Sequence, residues 1–106
     1  MGLYKRTDME ITIEQLEELK KANKFVIVDF FATWCGPCKV LGKTLEQVKS
    51  EREDVTVVPV DIEENDDLVE SFKIRNVPTI VIYKDGEVVT TFNGAVTKDR
   101  ILTALN

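Results

Sequence analysis

The sequence predicts one α/β domain in which a mixed, mostly parallel five-stranded sheet carries four helices on its two faces. Short β-branched and aromatic runs alternate with segments of helical periodicity, and this order favours parallel strands joined by helical crossovers. Near the end of the chain an Asp-Gly pair separates two such runs and predicts an antiparallel hairpin at the sheet edge. The length of 106 residues fits a single domain over residues 1–106.

The predicted strands are short apolar runs bounded by polar or turn-forming residues. One of them, FVIVDFF over residues 25–31, is apolar at almost every position and is therefore expected to be a central strand covered on both faces. The last two strands flank Asp85 and Gly86. In chain order the predicted strands are 9–11, 25–31, 55–60, 79–83 and 87–92.

Three of the four predicted helices begin after a residue that can cap a helix N-terminus. Thr12 is followed three residues later by Gln15, the pattern of a capping box. Asn65 precedes the third helix and Thr97 the fourth, and both residue types are favoured N-caps. The second helix follows the cysteine pair, and its apolar residues at helical spacing are Leu41, Leu45 and Val48.

Composition argues against several classes of function. The net charge is −5 and lysines and arginines never form a run longer than two, so nucleic acid and anionic membranes are not expected partners. No apolar run reaches the roughly 18 residues that span a bilayer. The first ten residues also lack the apolar stretch of a signal peptide, which predicts a cytoplasmic protein, although a mature periplasmic form would present the same sequence.

Both cysteines lie in one Cys-Gly-Pro-Cys segment, at Cys35 and Cys38. A disulfide across so short a loop would stabilise the fold by only about 2 kcal/mol, against about 3 kcal/mol for a 15-residue loop. A closed zinc site needs four ligands, and the chain has two Cys and no His. Attachment of c-type haem needs His after the second Cys, where Lys39 stands. Reversible dithiol–disulfide exchange is favoured, because a helix N-terminus stabilises a thiolate at the first Cys.

Four segments carry a resemblance to the thioredoxin family over nearly the whole chain. Trp-Cys-Gly-Pro-Cys-Lys after an apolar strand, with Val-Pro-Thr before a later strand and a Gly beyond it, is far more specific than a CxxC pair alone; thioredoxin is itself the standard example of such a redox pair. The segments are VDFFATWCGPCK (28–39), VDIEEN (60–65), VPTIVIYKDGE (77–87) and FNGAVTKDRI (92–101).

The resemblance implies the thioredoxin fold and the activity of a protein disulfide reductase. It implies no metal and no cofactor beyond a redox-active disulfide between Cys35 and Cys38. Its implied partners are a thioredoxin reductase, which regenerates the dithiol, and oxidised protein substrates. The protein is expected to act as a monomer.

The resemblance also assigns catalytic roles. It makes Cys35 the nucleophile that attacks a substrate disulfide and Cys38 the more buried thiol that resolves the mixed disulfide. Gly36 and Pro37 shape the turn, and this pair is typical of reducing family members. Asp29 matches a buried carboxylate that exchanges a proton with the resolving thiol; a pKa raised by burial would let it replace histidine as the acid–base group.

Four further residues match the substrate-binding positions of the family. Trp34 is expected to cover the site and contact partners, and Val77 to offer backbone hydrogen bonds to an extended substrate. Pro78 is expected to follow a cis bond, and Gly94 to leave a shallow groove beside the first Cys. Three of them also have a structural interpretation: packing for Trp34, a trans edge-strand proline for Pro78 and a bulge for Gly94. Asp29 could likewise serve only to bond a backbone N–H.

Three positions depart from the family pattern. Phe31 stands where a second Trp is common, and Lys43 replaces a proline that usually kinks the helix after the active site. Pro59 replaces a lysine that usually neighbours the buried carboxylate, so we expect the pKa of Asp29 to be raised further than in lysine-bearing relatives.

Two other classes of function stay open from the sequence. The fold could serve as a binding module in which the thiols are incidental. Alternatively, the pair could act as an oxidase or isomerase in an oxidising compartment, which its reduction potential would reveal.

Overall fold

Four helices enclose a four-stranded mixed sheet in the computed structural model, which describes residues 11–106. The strand order across the sheet is β2-β1-β3-β4, so β1 and β3 are central. The α/β class and the four helices are confirmed. In chain order the elements are α1 (Ile13–Ala22), β1 (Phe25–Phe31), α2 (Gly36–Glu51), β2 (Val55–Asp61), α3 (Asp66–Phe72), β3 (Thr79–Lys84), β4 (Glu87–Asn93) and α4 (Lys98–Ala104).

The strand directions correct one expectation. β1 and β2 pair in parallel through the α2 crossover, but β1 with β3 and β3 with β4 pair antiparallel. Among the described strands the sheet is therefore mixed, and it is not mostly parallel. Alternation of strands and helices did not reveal this, because the segment 73–78 after α3 brings the chain into β3 running opposite to β1.

The predicted first strand, 9–11, is not found in the described part of the chain. Residues 9 and 10 lie outside the described range, and Ile11 is outside any strand. The Ile11 N–H donates to Asn65 Oδ1 at 2.8 Å, and Asn65 Nδ2 donates to the carbonyl of Asp61 at 2.9 Å. Asn65 precedes α3 as predicted, yet its side chain makes no capping bond to that helix, because these two other partners hold it.

The caps of the first and last helices form as predicted. Thr12 Oγ1 accepts from the Gln15 N–H at 3.0 Å, and Gln15 Oε1 accepts from the Thr12 N–H at 2.9 Å. Thr97 Oγ1 accepts from the Arg100 N–H at 3.3 Å. These bonds satisfy N–H groups that have no partner within the helix.

The two sheet faces bury separate apolar clusters, and β1 contributes to both. Its even-numbered residues pack with Leu16 of α1 and Leu68 of α3. Its odd-numbered residues Phe25 and Ile27 pack against α2 and α4. Because side chains alternate along a strand, Asp29 belongs to the face covered by α2 and α4.

Asp85 and Gly86 form the hairpin turn that joins β3 to β4. Both have positive φ, +53° and +86°, as a two-residue type I′ turn requires. The antiparallel hairpin that the Asp-Gly pair predicted is thus confirmed.

Candidate active site

The cysteine segment forms the junction between β1 and α2. Cys35 is the N-cap residue of α2, and its Sγ accepts a hydrogen bond from the Cys38 N–H at 3.2 Å. The Cys35 N–H donates to the carbonyl of Ala32 at 3.2 Å, which closes the turn out of β1. Pro37 lies in the first turn of α2, where a missing N–H costs no helical bond. The first sulfur therefore lies at the positive end of the helix dipole.

Cys35 and Cys38 are joined as a disulfide, with their Cα atoms 5.3 Å apart. Both are buried, but unequally: 6% of Cys35 is exposed against 1% of Cys38. Around them pack Phe31 and Ala32, with Ile62 partly buried against the group. Any reagent from solvent therefore reaches the first sulfur more easily than the second.

Asp29 is fully buried near the carboxyl end of β1. In the sheet it lies opposite Pro59 of β2 and Ile80 of β3. The next residue on its face of β1 is Phe31, which belongs to the buried apolar group that contains both cysteines. The strand thus places a carboxyl group on the same face as the cysteine-bearing helix.

Val77 and Pro78 immediately precede β3. Their peptide bond is cis, as predicted, and Val77 packs against the apolar group that contains the two cysteines. The Pro78 carbonyl accepts from the Gly94 N–H at 2.7 Å. Gly94 has φ +91°, which favours glycine, and a Cβ there would meet no atom within 4 Å. Gly94 therefore supports Pro78 through its backbone, and it is not among the residues that line the groove described next.

A groove of about 540 Å³ runs beside the disulfide. Four of the residues predicted for turn and substrate binding line it together with Cys35: Trp34, Gly36, Pro37 and Val77. Its remaining walls come from residues that sequence reasoning missed: Ile62, Val69, Ile74, Arg75 and Asn76. Ile62 follows the carboxyl end of a parallel strand, where sites concentrate in α/β sheets, and this position was an available signal.

Trp34 is 67% exposed, which is unusual for so large an apolar side chain. Its indole N–H donates to Glu63 Oε2 at 3.3 Å. Glu63 was also missed, because no local pattern connects residues 29 positions apart. The loop that carries it is fixed to β1, since the Ile62 N–H donates to the carbonyl of Phe31 at 2.9 Å.

Among residues 11–106, no three Cys, Asp or Glu side chains are grouped closely enough to hold a metal ion. None of the described helices has both the length and the apolar content needed to cross a membrane.

Comparison with known proteins gives a consistent result. The family model for thioredoxin matches residues 10–106. A thioredoxin from Listeria monocytogenes is 39% identical over 98 residues, which cover 92% of this chain and 94% of that protein. A bifunctional thioredoxin reductase/thioredoxin from Mycobacterium leprae is 37% identical over 90 residues, covering 84% of this chain and 20% of that protein. A point-mutant thioredoxin from Halobacterium salinarum superposes with a TM-score of 0.80 and 32% identity, over 88% of this chain and 82% of that one.

Proposed function

This chain belongs to the thioredoxin family of thiol–disulfide oxidoreductases, and from that premise we propose that Cys35 attacks and Cys38 resolves in a protein disulfide reductase. The observation that carries this assignment is the position of Cys35 at the N-cap of α2, with its sulfur accepting from a backbone N–H. The helix N-terminus and this bond both favour the thiolate. Its greater exposure supports the same order of attack.

The reaction transfers two electrons to the substrate. The Cys35 thiolate attacks one sulfur of the substrate disulfide, and the other substrate sulfur leaves as a thiolate. Cys38, once deprotonated, attacks Cys35 Sγ in the mixed disulfide. The second substrate thiolate then leaves, and Cys35 and Cys38 are left as a disulfide.

Asp29 is the group proposed to take the proton from Cys38. Its burial on the α2 face supports this role, because desolvation favours a neutral carboxyl and brings its proton affinity toward that of a thiol. A general base is most effective when its pKa lies near the working pH. A histidine is therefore not needed for proton transfer.

The groove is proposed to hold an extended segment of the substrate. Val77 would pair with it through backbone hydrogen bonds, as in strand addition, with the cis bond to Pro78 setting the direction of that backbone. Gly36 and Pro37 shape the turn beneath it, and Gly94 holds the Pro78 carbonyl. Trp34 offers an exposed aromatic surface at the rim, suited to protein partners.

A thioredoxin reductase is proposed to regenerate the dithiol. The Mycobacterium leprae relative supports this partner, since its name assigns a reductase and a thioredoxin to one protein. We propose further that the chain works as one domain over residues 1–106, as a monomer, in the cytoplasm, and that it uses no cofactor or metal besides its own disulfide.

The test is turnover of insulin disulfides with NADPH and a bacterial thioredoxin reductase, repeated with dithiothreitol as the electron source. We expect the rate to be proportional to the concentration of this protein. A rate no higher than that of dithiothreitol or reductase alone would overturn the proposal. The reduction potential should lie near the value characteristic of thioredoxins, about −270 mV, whereas a value near about −120 mV would indicate an oxidase.

A further inference from the structure

Arg75 is the one charged residue among those that line the groove beside the disulfide, and it also borders a neighbouring pocket. The other lining side chains are apolar or uncharged, and Asn76 is the neighbour on the same segment. Arg75 is exposed, and it takes part in none of the ion pairs found among residues 11–106. Its guanidinium is thus available to a bound partner.

The position of Arg75 along the chain determines what it can reach. It precedes Val77 by two residues, which in extended backbone is at most about 7 Å between Cα atoms. An arginine side chain covers a similar distance. A substrate strand that pairs along Val77 therefore passes the guanidinium within a few residues of its cysteine.

Charges of both signs flank the groove. The chain carries −5 overall; Glu63, Glu64, Asp66 and Asp67 lie beyond Ile62, whereas Lys39 follows Cys38 in α2 and Lys73 precedes Arg75 by two residues. Of these, Glu63 already accepts the Trp34 indole N–H. Interactions between exposed charges weaken within a Debye length of about 8 Å at physiological salt, so Arg75, the charged residue that lines the groove, acts most directly on a bound segment.

We propose that Arg75 is a specificity-determining residue that selects substrate disulfides with an acidic side chain close to the attacked cysteine. A carboxylate there would pair with the guanidinium, with both N–H groups of the planar fork available. A lysine at the same substrate position would be repelled. This proposal rests on the proposed function, because it concerns the substrates of the same groove.

The experiment uses three peptide disulfides that differ only in the residues flanking the cysteine, which are Glu, Gln or Lys. Fully reduced protein is mixed with each peptide without a reductase, so that only the substrate step is measured. We expect the second-order rate constant of peptide reduction to fall from Glu to Gln to Lys by about two- to fivefold per step, the size expected of an exposed ion pair. The preference should fade as ionic strength rises from about 0.01 M to about 1 M, because the Debye length shrinks from about 30 Å to about 3 Å.

Two variants of Arg75 and one control variant test whether the preference for the Glu peptide depends on Arg75. In Arg75→Gln the ratio of the Glu peptide to the Gln peptide should approach one, and Arg75→Lys should keep part of it. Arg100→Gln is the matched control, because Arg100 is exposed on α4 and does not line the groove; it should keep the wild-type ratio.

The outcomes distinguish a failure of the proposed specificity from a failure of the proposed reductase function. An unchanged ratio in Arg75→Gln, or a wild-type preference for the Lys peptide, would show that Arg75 does not select the substrate. Equal rates with all three peptides would also overturn the specificity alone. If the wild type reduces none of the peptides, the proposed function fails and the specificity falls with it.

Discussion

The two faces of β1 are equally buried but differ in what they do. All seven residues of this strand are buried. On the α1/α3 face, Val26, Val28 and Phe30 contribute only apolar surface. On the α2/α4 face, Asp29 interrupts the apolar row two residues before Phe31, which shares a buried apolar group with the two cysteines. One strand thus supports a core on one side and a reaction on the other, because the twofold repeat of side chains keeps the two sets apart.

Replacing the cysteines one at a time gives the largest expected effect on the reactive face. Cys35→Ser should reduce insulin turnover to the background rate, since it removes the attacking sulfur. Cys38→Ser should still attack but accumulate a mixed disulfide, because the resolving thiol is gone. Mass spectrometry of the trapped adduct checks this assignment. An adduct on Cys38 in the Cys35→Ser protein would reverse the roles, and full biological function in Cys35→Ser would favour the binding module.

A pair of neighbouring phenylalanines tests the comparison directly. Phe30→Ala should cost about 3–5 kcal/mol of unfolding free energy, as burial and the contact with Phe72, 5.1 Å between ring centroids, are lost. Its disulfide turnover below the transition should stay near the wild-type rate. Phe31→Ala should lower both stability and turnover, because this side chain belongs to the buried apolar group that contains both cysteines. Denaturant titration and initial rates measure the two effects, and equal losses of turnover would contradict the division between the faces.

Asp29→Asn should separate chemistry from stability on the reactive face. The resolving step near neutral pH should slow, because no group remains to take the proton. If burial raises the folded-state pKa, wild-type stability is fully present below the unfolded pKa, about 3.9, and decreases as pH rises through the folded pKa. Asp29→Asn should therefore gain stability over the wild type with rising pH. Equal stability of both proteins from acid to neutral pH would contradict a raised pKa.

Substitution of Pro59 should change the pKa of the Asp29 carboxyl by a smaller amount. Pro59 lies directly opposite Asp29 on β2, so a lysine there should lower the Asp29 pKa and shift the resolving step to lower pH. Pro59→Gln is the control, since it restores the backbone N–H without adding charge. An NMR titration of the Asp29 carboxyl compares the three proteins. Coincident curves for wild type and Pro59→Lys would show that the side chain at 59 does not act on Asp29.

The smallest effect is expected from Tyr83, a buried titratable group on the opposite face. Burial, and secondarily the charge of Glu17, raise its pKa above the ordinary value of 10.0. Because the pKa of Tyr83 is higher in the folded state, its contribution to the free energy of unfolding is complete below the unfolded-state pKa. That contribution decreases as pH rises through the folded-state pKa. In a pH titration followed by phenolate absorbance, one transition should lie above the ordinary tyrosine pKa and be absent in Tyr83→Phe, with no change in disulfide turnover at neutral pH. If that transition persists in Tyr83→Phe, it belongs to another group.

The features predicted correctly from sequence depend on local chemistry. The capping box at Thr12, the Asp85-Gly86 hairpin and the buried strand 25–31 each follow from residues within one element. The cis bond before Pro78 came from the family resemblance and is also confirmed.

The errors and omissions concern contacts between distant segments. Asn65 was expected to cap α3, but it bonds to Ile11, 54 positions away. Glu63 and Arg75 join the site through the approach of separate loops, and no periodicity records that approach. The direction of β3 likewise depends on how the chain returns after α3.

The bonds that fix the loop after β2 have a consequence for the thermodynamics of association. The Ile62 N–H is tied to Phe31, the Glu63 N–H donates to the Asp61 carboxylate at 2.9 Å, and Asn65 links the loop to Ile11. This wall of the groove is ordered before a substrate arrives, so it gives up little conformational entropy on binding. The entropy lost falls almost wholly on the incoming segment. Disulfides in segments that are already extended and exposed should therefore bind with the smallest entropic penalty.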